Sequence, residues 1–363
     1  MPRSKPPSPS RPASPHPPPR RLQMADLARL AGVSASTVSR ALNHSPLISP
    51  ATTKRIEELA RSLNYSINTA ARHLRSGSNR TIAVVVPYEA ATRQHVSEPF
   101  FLSMLGSLAD ALTDSGYDML LSRIDAERLD DAFRLYDSGR AAGIILIGQW
   151  RHHDQLNALA LRRTPLVVWG ARMPEQLYCT VGSDNRQGGR MATEHLLAGG
   201  CRRIAFFGDT GLPEVAQRHA GYLAAHKRHG LMARDELRVS ASFLATGAEQ
   251  AVQSLTDSGQ RFDAVFACSD LLAMTTISAL DRRGLKVPND IAVVGYDDIE
   301  MAAHFNPPLT TVRQSIQNGG QALVTSLMAI FEGHPARPVL LPAELVVRAS
   351  SVRGNPHRRK RQG

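Results

Sequence analysis

Within ten residues the chain places Ser34, Ser36, Thr37, Ser39, Arg40 and Asn43, a group whose chemistry is that of surface recognition. Hydroxyl and amide side chains can donate to or accept from phosphates and base edges, and a guanidinium can fork onto guanine or clamp a phosphate. Catalytic patterns are missing by contrast. There is no G-x-S-x-G, no Walker loop and no H-E-x-x-H, and Gly188-Gly189 is not set in a G-x-G-x-x-G run, so an enzyme is not expected. Cys179, Cys201 and Cys268 are far apart and without a Cys/His cluster, which predicts reduced structural thiols with no disulfide framework, no metal site and no cofactor.

The polar group needs a scaffold, and the spacing of apolar residues supplies one. Met24, Leu27, Ala28 and Ala31 share a helical face, Gly32 breaks it, and Val38, Ala41 and Leu42 resume it. Ser34 is placed to cap the second helix, and Ser49-Pro50 to cap and start a third through Ile56, Leu59 and Leu63. A fourth, weaker helical stretch spans Asn68 to Arg75, ended by Gly77. From Thr81 the pattern changes to short β-branched runs (TIAVVVP, YDMLLS, GIILI, LVVW, IAFFG, AVFA, IAVVGY) separated by amphipathic helices or loops, the signature of parallel sheets covered on both faces. At least eight strands are expected. They predict an α/β core of two doubly wound lobes with a ligand cleft at their carboxyl ends.

Charge divides the chain in the same way. Residues 1–80 hold 13 Lys/Arg against 3 Asp/Glu, residues 81–352 hold 25 against 29, and Arg353, Arg358, Arg359, Lys360 and Arg361 end a basic tail. A polyanion is the expected partner of the first segment. The opening 20 residues are too rich in Pro and Ser to pack, and they are read as a disordered tail or as sequence upstream of the true start. No apolar run reaches the ~20 residues needed to cross a bilayer and no signal core is present, which predicts a cytoplasmic protein with no membrane partner. The expected domains are 1–20 tail, 21–66 helix-turn-helix, 67–80 hinge helix and linker, 81–352 effector-binding and dimerisation core, and 353–363 basic tail.

The stretch from Leu22 to Gly77 combines A-x-x-A-G-V-S-x-x-T-V-S-R-x-L-N with L-N-Y-x-x-N-x-x-A-R-x-L, and later come VGSDN, Arg218-His219-Ala220-Gly221-Tyr222, CSD, VPNDIAVVGYDD and PPLTTVRQ. On these residues the chain resembles the lactose-repressor/galactose-repressor family of transcription regulators. The resemblance implies a small all-α helix-turn-helix headpiece, a core like that of periplasmic sugar-binding proteins, and a homodimer on double-stranded operator DNA. The second helix of such a headpiece enters the major groove by its N-terminus, so Ala35 and Ser36 are expected to read sequence, with Ser34, Thr37, Ser39, Arg40 and Asn43 contacting bases and phosphates. The stretch from Asn68 to Arg75 resembles the family's hinge helix. Leu74 matches its minor-groove wedge, with Asn68, His73 and Arg75 beside it, the alternative being a linker leucine packed on the core.

In the core the resemblance implies that Asp184, Arg218 and Asp297 hold a small effector, with Phe100, Phe101 and Phe243 as aromatic walls and Ser269 where many sugar-responsive members carry Asn. Taken alone, each aromatic reads better as a core residue. Asp270 is read as supporting a strand-to-helix turn and Asp298 as lying outside the pocket. A sugar is the expected effector and release of a repressor the expected response. A purine-responsive or activating member is the alternative, although the loop before Arg218, with Leu212 and Glu214, offers no second cation. In another class, a solute-binding protein would have no use for the headpiece.

Overall fold

The computed structural model describes residues 24–42, 45–63, 79–89, 95–243 and 245–353. These fall into two compact units, one within Met1–Ser78 and the other within Asn79–Gly363. The first unit has three helices, α1 (Met24–Ala31), α2 (Ala35–Leu42) and α3 (Pro50–Ser62). Leu27, Ala28, Val38, Ala41, Ile56 and Ala60 bury the shared apolar face. Gly32 (φ 64°) ends α1. The N–H of Val33 donates to Ala28 and that of Gly32 to Arg29, the paired bonds that close a helix through a left-handed residue. Ser49 caps α3 by accepting from the Thr52 N–H at 3.2 Å, with Pro50 in the first turn where its missing donor costs nothing.

The second unit holds two six-stranded sheets. The first contains β1 (Thr81–Tyr88), β2 (Asp118–Asp125), β3 (Gly143–Ile147), β4 (Leu166–Trp169), β5 (Cys179–Ser183) and β11 (Val339–Leu341), in the order β11-β5-β4-β3-β1-β2 and all parallel. Alternate residues go to opposite faces. Ile82, Val84 and Val86 pack with α4 (Pro99–Asp114) and α12 (Ile316–Phe331), while Ala83 and Val85 pack with α5 (Asp130–Asp137) and α6 (His153–Leu161). The second sheet contains β6 (Ile204–Phe207), β7 (Arg238–Val239), β8 (Ala264–Ala267), β9 (Ala292–Asp297), β10 (Thr310–Gln314) and β12 (Ala343–Val346). Its order is β12-β10-β9-β8-β6-β7, and only β12 runs antiparallel. Its helices are α7 (Asn185–Ala198), α8 (Pro213–Arg228), α9 (Ala245–Asp257), α10 (Asp270–Arg282) and the short α11 (Glu300–His304).

The chain passes between the lobes three times, after β5, after β10 and between β11 and β12. The first and third crossings are bonded together, since the Asp184 N–H donates to the Leu341 carbonyl at 2.9 Å. Each lobe therefore keeps its own core while sharing a narrow three-stranded joint. Such a joint lets the lobes rotate as bodies without repacking either interior.

Candidate functional site

In the first unit, α2 presents its polar residues outward while Val38 and Ala41 face inward. Ser34 Oγ accepts from the Thr37 N–H at 3.1 Å and lies 2.8 Å from both Ser36 Oγ and Thr37 Oγ1. Its hydroxyl is thus largely spent on capping. Ala35, Ser36 and Arg40 are exposed, and Ser36 and Arg40, four residues apart, share one face of the helix, as a surface that reads a groove requires. Thr37 and Ser39 are half-buried. Asn43, Asn68, His73, Leu74 and Arg75 lie outside the described residues.

In the second unit a cleft between the lobes takes its lining from both. Its free space, open mouth included, is about 840 Å³. From the first lobe come Glu98, Phe100, Phe101, Trp150 and Trp169, and from the second Leu212, Glu214, Arg218, Phe243, Ser269 and Asp297. Gln314, the last residue of β10, lines it at the joint. Phe100 stands edge-on to Phe101 at 5.5 Å and tilted against Trp169 at 6.3 Å. Trp169 is seated by Gly319 of α12, where any Cβ would come within 2.5 Å of its ring.

Arg218 is held on three sides. Its Nε donates to Asn185 Oδ1 at 2.8 Å, its Nη1 donates to the Cys268 carbonyl, and its guanidinium lies 3.7 Å from the centre of the Tyr296 ring. Asn185 in turn donates to the Ser183 carbonyl at 3.1 Å, which ties the guanidinium to the first crossing. Asp297 accepts from Gln314 Nε2 at 2.6 Å and so is tied to the second crossing. Burial pushes the Asp297 carboxyl up to about 6, although Arg218 opposes the shift. Burial also raises the Glu214 carboxyl against the pull of Arg218 and of a backbone bond from Gln149 across the cleft. Two further contacts bridge the lobes, the Arg151–Asp209 ion pair and a bond of 2.9 Å from Gln217 Nε2 to the Arg172 carbonyl.

Six of the expected core residues, Phe100, Phe101, Arg218, Phe243, Ser269 and Asp297, come together in this lining. Asp184 does not. Its carboxylate caps α7 by accepting from the Gln187 N–H at 2.8 Å, and the neighbouring Asn185 is the residue that reaches Arg218. Ser269 caps α10 through the Leu272 N–H at 3.2 Å, so its hydroxyl has a structural duty as well. Asp270 is buried and accepts from Thr311 Oγ1 and the Ile299 N–H, bracing the turn after β9. Asp298 is outside the lining, paired with Arg313 and Arg348 at 2.7 Å each. Residue reasoning missed Glu98, Trp150, Trp169 and Gln314, and it read Glu214 only as a non-cation. A usable signal existed, because Ile147, Trp169, Asp297 and Gln314 each end a parallel strand, where α/β sheets bind ligands.

Comparison with known proteins agrees with this fold. Residues 23–68 match the model for bacterial regulatory proteins of the lacI family, and residues 193–351 match a periplasmic binding protein-like domain. The HTH-type transcriptional regulator CelR of Thermobifida fusca is 34% identical over 342 residues, covering 91% of this chain and 98% of that protein. Among solved structures, the lac repressor dimer bound to operator and an anti-inducer superposes with a TM-score of 0.80 at 25% identity, over 92% of this chain and all of that one. A CelR–cellobiose complex superposes with a TM-score of 0.67 at 31% identity, over 91% of this chain and all of that one.

Proposed function

The chain belongs to the lacI family of bacterial regulatory proteins, and on that premise we propose that it is a cytoplasmic repressor that releases operator DNA when a sugar occupies its inter-lobe cleft. The observation that carries the reading is the pairing, in one cleft, of aromatic faces from both lobes with Arg218 and Asp297 tied to the joint. Ring faces suit the apolar sides of a pyranose, while a guanidinium and carboxyls bond its hydroxyls. Arg218, Asp297 and Glu214 are the polar anchors, and Phe100, Trp150, Trp169 and Phe243 are the walls. The similar CelR is known bound to cellobiose, which makes a glucoside the first choice of ligand.

Ala35, Ser36 and Arg40 meet the major groove in this account, and two copies of the chain read two half-sites. An effector that binds the closed lobes more tightly than the open ones shifts the spacing of the two copies of Thr81 in the dimer. This spacing governs whether residues 67–80 engage DNA. The coupling available to such a device is typically ~1–3 kcal/mol. The test is an equilibrium binding assay of the full chain on the DNA upstream of its own coding sequence, with sugars added singly. Release by one of them is expected; indifference to every sugar would overturn the reading.

A further inference from the structure

Away from the joint, the two lobes touch through residues that do not line the cleft. Arg151, in the loop after β3, forms an ion pair with Asp209, in the loop after β6, and Gln217 Nε2 of α8 donates to the Arg172 carbonyl, after β4, at 2.9 Å. β3 stands two strands from β5, and β6 three strands from β10, the strands that lead into the joint. At about 4.8 Å per strand, the ion pair lies ~10–15 Å from the joint, where it has leverage over rotation of the lobes. Neither end is loose. Gln149, fully buried between Gly148 at φ 96° and Trp150 at φ 50°, accepts from the Ala171 N–H at 2.7 Å and donates to the Tyr178 hydroxyl at 2.8 Å, which joins the loops after β3 and β4 into one rim. A positive φ at a residue such as Trp150 persists where the surroundings enforce it. Across the gap, Asp209 accepts from the Gly211 N–H at 2.9 Å, and a Cβ on Gly211 would lie 2.7 Å from Arg151 Nε, so the guanidinium rests against backbone.

Closing the lobes makes these contacts and opening the lobes breaks them, because each joins a residue of one lobe to a residue of the other. We propose that, whatever the chemistry of the effector, they form a latch: the chain itself holds its lobes together at the rim and so sets the share of closure that an effector has to supply. A ligand that binds only the closed lobes has an apparent affinity scaled by the closed fraction. The latch therefore acts on every such ligand by one factor and touches none of them, whereas Arg218 acts by contact. Gln217 and Arg218 are neighbours on α8, so closure at the rim and placement of the guanidinium against the first lobe occur together.

The chain carries its own probe, since Trp150 and Trp169 are its two tryptophans and both line the cleft. They are only 8% and 4% exposed, so quenching of their fluorescence by acrylamide reports opening of the cleft and needs no effector. The experiment compares the full chain with Asp209→Asn, Gln217→Ala and the double variant, all altered in the lobe that carries neither tryptophan. Asp209→Asn keeps the acceptor for Gly211 and removes the ion pair. Glu249→Ala is the control, because it removes ion pairs to Arg282 and Arg283 within the second lobe. An exposed contact shifts an equilibrium by up to about five-fold, so each single variant should raise the quenching constant. The double variant should raise it further, to at least about twice the parent value, while the control quenches as the parent does. Equal quenching in the parent and the double variant overturns the latch, as does a rise in Glu249→Ala equal to that in the double variant. A rise in Gln217→Ala with none in Asp209→Asn overturns the part given to the ion pair.

Discussion

At the scale of the residue, Asp297 shows what the cleft costs the fold. It ends β9 at φ 122° and is followed by Asp298 at φ 57°, two consecutive positive values in residues that bear side chains. Such backbone costs on the order of 1–3 kcal/mol per residue and persists where the surroundings enforce it, here through the Gln314 bond to Asp297 and the ion pairs of Asp298. Its carboxyl is raised to about 6 by burial, above the unfolded value near 4. A raised carboxyl contributes stability below the unfolded value and loses it as pH rises through about 6, so at neutral pH the ionised Asp297 weakens the ligand-free fold. Asp297→Asn keeps the acceptor for Gln314 and removes the charge. Thermal melts should show the variant more stable than the parent at pH 7.5, by up to about 2 kcal/mol, with the gain fading between pH 6 and 4. Equal melting at all pH values would contradict this. The cationic partner Arg218 was visible in the run around Gly221, whereas Asp184, sharing its motif with Asn185, was a plausible anchor by type and proved to be a cap. Sequence spacing cannot distinguish an acid that bonds its own helix from one that faces a cavity.

At the scale of the element, caps and glycines determine how closely the helices approach. On α7, a Cβ at Gly188 would lie 2.4 Å from the Tyr296 hydroxyl, and one at Gly189 would lie 2.0 Å from the Arg218 carbonyl. On the facing α8, a Cβ at Gly221 would lie 2.1 Å from the Arg186 carbonyl. Backbone is the obstacle at the last two positions and cannot swing aside, so Gly189→Ala should lower the unfolding free energy by about 2–3 kcal/mol and displace Arg218, weakening effector binding as well. A denaturant melt and a ligand titration on the same variant check both effects. In the headpiece the roles separate: Ser49→Ala removes a cap and should cost ~1 kcal/mol of stability, while Arg40→Ala should leave the melt unchanged and weaken operator binding. Loss of stability in both, or in neither, would contradict the assignment. Periodicity made the long amphipathic helices and the buried parallel strands legible. It did not single out β5 (CTVGS), the two-residue edge strand β7, β10 or β12, or β11, whose partner β5 lies more than 150 residues earlier in the chain. Short strands that return to a sheet across a joint carry little local signal, because the neighbours that stabilise them are not their sequence neighbours.

At the scale of the molecule, the account joins a groove-reading helix to a cleft whose anchors are wired to the joint between two lobes. It requires two copies, since one headpiece supplies few base contacts. Sedimentation should show a dimer, and footprinting should show half-sites about one DNA turn, ~34 Å, apart. A monomer bound tightly to a single half-site would contradict it. The central claim is that a sugar acts on DNA affinity through Arg218. It is tested most directly by measuring operator affinity of the full chain with and without a saturating neutral sugar, in the parent and in Arg218→Ala. The account predicts a loss of affinity of about 5–150-fold in the parent, with no change in Arg218→Ala, whose operator affinity without sugar stays at the parent value. A parent protein indifferent to the sugar, or a variant that still responds as the parent does, would contradict it.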